Sequence, residues 1–85
     1  MAGTGELMDF SEALRLLKQG NKRFQRSGWN GKGMWIRLNQ PSKIGSQGSH
    51  LCLDYLEMWT ADGKLVPWLA SQTDLLAEDW QEFQG

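Results

Sequence analysis

A chain of 85 residues with 9 basic and 10 acidic side chains reads as one domain of nearly balanced charge, which argues against a DNA or RNA groove binder, since those carry a strongly basic patch. With Cys52 and His50 as its sole thiol and imidazole, the chain cannot form an internal disulfide and gives no support to metal ligation or a bound cofactor. A lone cysteine fits a reducing cytosol, Met1 to Leu7 lack the apolar stretch of a signal peptide, and no apolar run approaches transmembrane length, so no membrane partner is expected.

Residues 1–8, with Gly3 and Gly5, read as a loose N-terminal tail ahead of a single domain over 9–85. Asp9 and Glu12 form the acidic variant of a capping box, and Phe10, Ala13, Leu14 and Leu17 recur at helical spacing. A helix is predicted over 10–19, with Arg15, Lys18 and Gln19 facing solvent and Gly20 as its left-handed stop. Lys22 to Arg26 reads as a short polar strand with Phe24 inward. Ser27 to Gly33, with three glycines and an Asn-Gly pair, reads as a tight connection. Met34, Ile36 and Leu38 alternate with Trp35, which predicts a half-buried strand with Trp35 on the opposite face.

Residues 39–49 hold Pro41, Gly45, Gly48 and three serines and read as a loop. Leu51 to Thr60 is apolar and β-prone, with Leu51, Leu53, Tyr55 and Trp59 on one face and Cys52, Leu56 and Met58 on the other. Both faces look covered, as in a central strand or an oligomer interface. Asp62-Gly63 signals a turn, and Leu65 to Leu69 returns as a strand that Pro67 confines to an edge. Ser71 and Asp74 cap a short helical turn over 72–78, and 79–83 adds a last strand with Trp80 directed to the core. The sum is α+β: one main helix packed on a small antiparallel sheet, plus a short C-terminal helical turn.

Five tryptophans are more than so small a core can hide, so some are expected at a subunit interface or a ligand site. Trp29 reads either as docked on the core or as a platform for a nucleobase, with Asn30 supplying polar contacts; a stacked base contributes about 1–3 kcal/mol. In the Trp68–Asp74 stretch, Ser71 and Thr73 read either as helix caps or, with Asp74, as partners for ribose hydroxyls or a base edge. Asp74 repels phosphate, which assigns it a sugar or a base. Phe10 reads first as core. Arg26 and Lys32 read as surface charges that are also natural partners for an anionic ligand. His50 and Cys52 share a strand face, but their apolar neighbours favour packing over a catalytic pair. Glu78 and Asp79 read as solvated acids near a helix end, and Gly28 to Gly33 lacks the phosphate-loop spacing.

Three segments carry a resemblance: Asp9 to Leu14, Arg26 to Met34, and the long stretch Thr60 to Trp80. Together they resemble the Thoeris anti-defence 2 family of phage and prophage proteins from about residue 8 to 83, with 39–54 the weakest part. The resemblance implies a compact homo-oligomer, commonly a tetramer, in the cytoplasm of an infected bacterium. It implies a sponge that binds cyclic ADP-ribose isomers made by TIR-domain immune enzymes without cleaving them. Some members are similar to sponges for the cyclic dinucleotides of CBASS defence. By position, Phe10, Trp29 and Asn30 match the family's N-terminal pocket segments, and Ser71, Thr73 and Asp74 its C-terminal one. Two other readings stand beside the sponge: a protein-interaction module that blocks an immune enzyme directly, and a phosphodiesterase-like enzyme that degrades the signal.

Overall fold

A computed structural model describes residues 6–29, 33–41 and 53–84. Most of the 39–49 loop, together with Asn30, Lys32, His50, Leu51 and Cys52, lies outside the described residues. The architecture is α+β, as the hydrophobic periodicity predicts.

Helix α1 spans Phe10–Leu17. The Asp9 carboxylate accepts from the Glu12 backbone N–H at 3.0 Å and caps it. Only half of the expected reciprocal box forms, because the Glu12 side chain turns to Arg15 instead. Gly20 stops the helix with φ +83°, and Asn21 follows in the same left-handed region at φ 68°. Phe10, Ala13 and Leu17 are buried, while Arg15, Lys18 and Gln19 face solvent.

The five strands are β1 (Arg23–Arg26), β2 (Trp35–Asn39), β3 (Tyr55–Trp59), β4 (Leu65–Pro67) and β5 (Trp80–Glu82); helix α2 (Gln72–Leu76) lies between β4 and β5. They form one sheet in the order β4-β3-β2-β1-β5, and all four neighbouring pairs are antiparallel. Gly63, at φ +83°, turns β3 into β4. β4 is the edge strand that Pro67 predicts, and pairing runs one residue past it, where Trp68 N–H donates to the Leu56 carbonyl at 3.0 Å. At the opposite edge Met8, in the predicted tail, exchanges two backbone hydrogen bonds with Trp80, at 2.8 and 3.0 Å.

Because strand side chains alternate between faces, each strand sends one set toward α1 and the other outward. Phe24, Ile36 and Trp80 meet Phe10, Ala13 and Leu17 in a single core, with Leu56, Met58, Trp29 and Trp68 packed against it. The outer face carries Trp35 stacked on its cross-strand partner Trp59 at 5.8 Å. Arg23 lies 5.2 Å from both the Trp35 and Phe83 rings, and Arg37 lies 5.4 Å from Trp35. Beneath them Glu57, only 4 % exposed, accepts from Arg37 Nε at 2.6 Å and Asn39 Nδ2 at 2.9 Å.

Of the two settings that the apolar faces of β3 allow, a central strand or an oligomer interface, the first is the one found, but within one chain Tyr55 and Trp59 stay 42 % and 36 % exposed. The reason is topological, since α1 packs on β1 and β5 and covers the other face. Among the described residues no helix is long and apolar enough to cross a membrane.

Candidate functional site

Trp80 organises an aromatic cluster within the core. Alternation in β5 aims it into the core, where it is fully buried. Phe10, at the first turn of α1, packs a tilted ring against it at 5.1 Å. Trp29, in the 3-10 turn Ser27–Trp29 that leaves β1, meets it edge-on at 5.3 Å. Trp68, just beyond β4, does the same at 5.8 Å and also touches Phe10 at 5.8 Å. The Trp80 indole N–H donates to the Asp74 carbonyl at 2.9 Å, which ties α2 to this cluster.

Helix α2 begins at a complete capping box. Ser71 Oγ accepts from the Asp74 backbone N–H at 3.1 Å, and the Asp74 carboxylate accepts from the Ser71 backbone N–H at 3.3 Å. Thr73 Oγ1 shares a hydrogen bond with Ser71 Oγ at 2.9 Å. Ser71 is therefore the cap, which is one of the two roles its sequence context allows.

Arg26, at the end of β1, does not point freely outward. Its Nε donates to Asp79 and one terminal nitrogen donates to Asp74, each at 2.9 Å. The three side chains are 23 %, 26 % and 15 % exposed, in the order Arg26, Asp79, Asp74. Two expectations are corrected by this. Arg26 is not a surface charge, and Asp79 is not a solvated acid. Asp79 also accepts from Ser27 Oγ at 2.9 Å. Burial pushes the Asp79 carboxyl up, but hydrogen bonds from Arg26 and Ser27 outweigh it and hold the group below its ordinary value. Hydrogen bonds to Asp79 and then Asp74 hold the guanidinium above its ordinary value.

The structure thus gathers Phe10, Arg26, Trp29, Trp68, Ser71, Thr73 and Asp74 around Trp80, through ring contacts and the hydrogen bonds of Asp74. Phe10 lies in the core, 8 % exposed, whereas Trp29 and Trp68 are half-buried and Ser71 and Thr73 exposed. Asn30 lies outside the described residues. Sequence reasoning missed Asp79 as a site residue, and no spacing rule could find a partner 53 residues from Arg26. It also missed Glu57, although strict alternation with Tyr55 and Trp59 carries that signal. Among the described residues, clefts lie on the outer surface of α1, beside Met8 and Leu16, and between α1 and β3; none of these is lined by the seven residues of the cluster. Among the described residues no group of three or more His, Cys, Asp or Glu side chains is arranged to hold a metal.

What this arrangement can do chemically is bind. Two half-buried indoles offer π-faces, a serine and a threonine offer hydroxyls, and a carboxylate offers acceptors to sugar or base donors. The sequence model of the Thoeris anti-defense 2-like domain matches residues 8–83. One relative, Thoeris anti-defense 2 of Bacillus phage SP01, is 42 % identical over 82 residues, covering 86 % of this chain and 91 % of the relative.

Proposed function

The chain belongs to the Thoeris anti-defense 2-like family, and from that premise we propose that it is a phage anti-defence sponge: it binds cyclic nucleotide immune signals and holds them without cleaving them. Its ligands are cyclic ADP-ribose isomers of Thoeris, and cyclic dinucleotides of CBASS extend the same chemistry. The observation that carries this reading is the convergence at Trp80. Residues from three separated stretches of the chain meet there in one continuous set of contacts. In the proposed pocket Trp29 and Trp68 stack on the base, Asn30 contributes polar contacts, and Ser71, Thr73 and Asp74 hold ribose hydroxyls.

Sequestration requires affinity rather than stabilisation of a transition state. A general base for hydrolysis needs a pKa near the working pH, and Asp79, tied to Arg26 and Ser27, is held well away from it. To outcompete an immune receptor the sponge needs nanomolar binding, about −12 kcal/mol. Two stacked aromatics and a few directed hydrogen bonds in a preformed pocket can reach that value. A homotetramer supplies the preformed pocket, and the exposed Leu69 and Leu76, at 92 % and 77 %, give it apolar surface to bury beside α2. The site of action is the cytoplasm of the infected host.

Calorimetric titration with cyclic ADP-ribose isomers and cyclic dinucleotides tests the proposal. Nanomolar binding by the natural protein that weakens in Trp29→Ala is the expected result. No binding to any of them, with capture of a host immune enzyme instead, favours the protein-interaction reading, to which the same exposed leucines would then belong.

A further inference from the structure

We infer that Arg26 and Asp79 are positioning residues, which hold the Ser71–Asp74 edge of the pocket in place without touching the ligand; the inference rests on the sponge reading above. Arg26 lies at the junction of three elements. Its planar guanidinium spans from Asp74 in the first turn of α2 to Asp79 at the entry to β5, both at 2.9 Å. The five-residue step from Asp74 to Asp79 is thereby closed by one side chain from β1. Two further bonds tighten it: Ser27 N–H to the Asp79 carbonyl at 2.9 Å and the Trp80 indole N–H to the Asp74 carbonyl at 2.9 Å. A lysine ammonium, a point charge without the fork, does not match this two-carboxylate geometry.

The charge balance sets the chemistry of the edge. One guanidinium faces two carboxylates, so its positive charge is already matched, and the edge as a whole is electronegative. Asp74 Oδ1 accepts from Arg26 and Oδ2 from the Ser71 backbone, and each oxygen keeps a second lone pair. Those lone pairs accept hydroxyl donors and repel phosphate. The ligand therefore presents a ribose diol to Asp74 and turns its phosphates away from Arg26.

The test combines ligand titration of Arg26→Met, Arg26→Lys and Asp79→Asn with two readouts that need no ligand: the Trp80 indole proton resonance and amide exchange over residues 72–76. Affinity for cyclic ADP-ribose is expected to fall at least tenfold in Arg26→Met, with a shifted indole resonance and faster exchange in α2. Arg26→Lys should recover only part of each change, and Asp79→Asn should reproduce the α2 exchange with a smaller loss of affinity. Arg26→Met that binds within twofold of the natural protein overturns the inference. So does a loss of affinity with the indole resonance and α2 exchange unchanged, which would make Arg26 a direct ligand contact. If the natural protein binds no nucleotide, the sponge reading fails by itself, while the indole and exchange data still decide whether Arg26 and Asp79 hold α2. Should Arg26→Met fail to fold, Asp79→Asn and Arg26→Lys carry the same comparison.

Discussion

Trp29 is where the proposed pocket can be weakened by one side chain without emptying the core. Its ring is half-buried against Trp80, so truncation removes a stacking face while the fully buried Trp80 keeps its other neighbours. A stacked base contributes about 1–3 kcal/mol, so Trp29→Ala should lose about 5- to 150-fold in affinity with a modest drop in melting temperature. Trp80 itself behaves differently. Replacing a buried aromatic by alanine costs about 3–5 kcal/mol, a large share of what an 85-residue domain has, and Trp80→Ala should unfold the protein on calorimetry. Asp79 supplies a pH signature. Its folded pKa is lowered, so the stability it contributes is fully present above the unfolded value of about 3.9. That contribution is lost as pH falls through the lower folded value. Chemical denaturation from about pH 5 to about pH 2 should therefore show a shallower loss of stability for Asp79→Asn than for the natural protein; identical slopes would mean that Arg26 and Ser27 do not favour the charged carboxylate.

At the scale of elements, the two helices hang on their caps. The Asp9 carboxylate caps α1, and Asp9→Ala should lower the denaturation midpoint with an unchanged slope. Elements with strong local signals were legible in the sequence: α1 from its 3.6-residue spacing and Gly20, the β3–β4 turn from Asp62-Gly63, the edge position of β4 from Pro67, and the α2 cap from Ser71 and Asp74. Strand ends were less legible. β3 begins at Tyr55, and Leu53 and Asp54 lie outside it, because hydrophobicity marks where a strand can pair and not where its partner stops. The ionic ties were not legible. Arg26 finds Asp74 and Asp79 across 48 and 53 residues, and Arg37 finds Glu57 across 20, distances that only the folded sheet brings together. Of the candidate site, the aromatic members were visible as an excess of tryptophan, and the family resemblance selected which of them to group. Helical spacing marks Phe10 as core, whereas the glycine-rich context of Trp29 leaves core docking and a ligand platform both open.

At the scale of the whole molecule, the fold separates two aromatic systems. One lies between the sheet and the helices around Trp80; the other lies on the outer face, where Trp35, itself buried, packs against Trp59 and Phe83 beneath Arg23 and Arg37. The outer face holds its order through Glu57, and Glu57→Gln, which keeps the shape and removes the charge, should destabilise the protein by about 1–2 kcal/mol. The first system is the proposed pocket, and a tetramer is proposed to complete it. As proposed, the protein holds an immune signal and releases it unchanged. Purified protein incubated with a cyclic ADP-ribose isomer, freed of unbound ligand and denatured by heat, yields its bound nucleotide for chromatography. Stoichiometric recovery of intact ligand is the expected result. Recovery of linear or fragmented nucleotide, with no such product in the absence of protein, would contradict it and show that the chain is an enzyme.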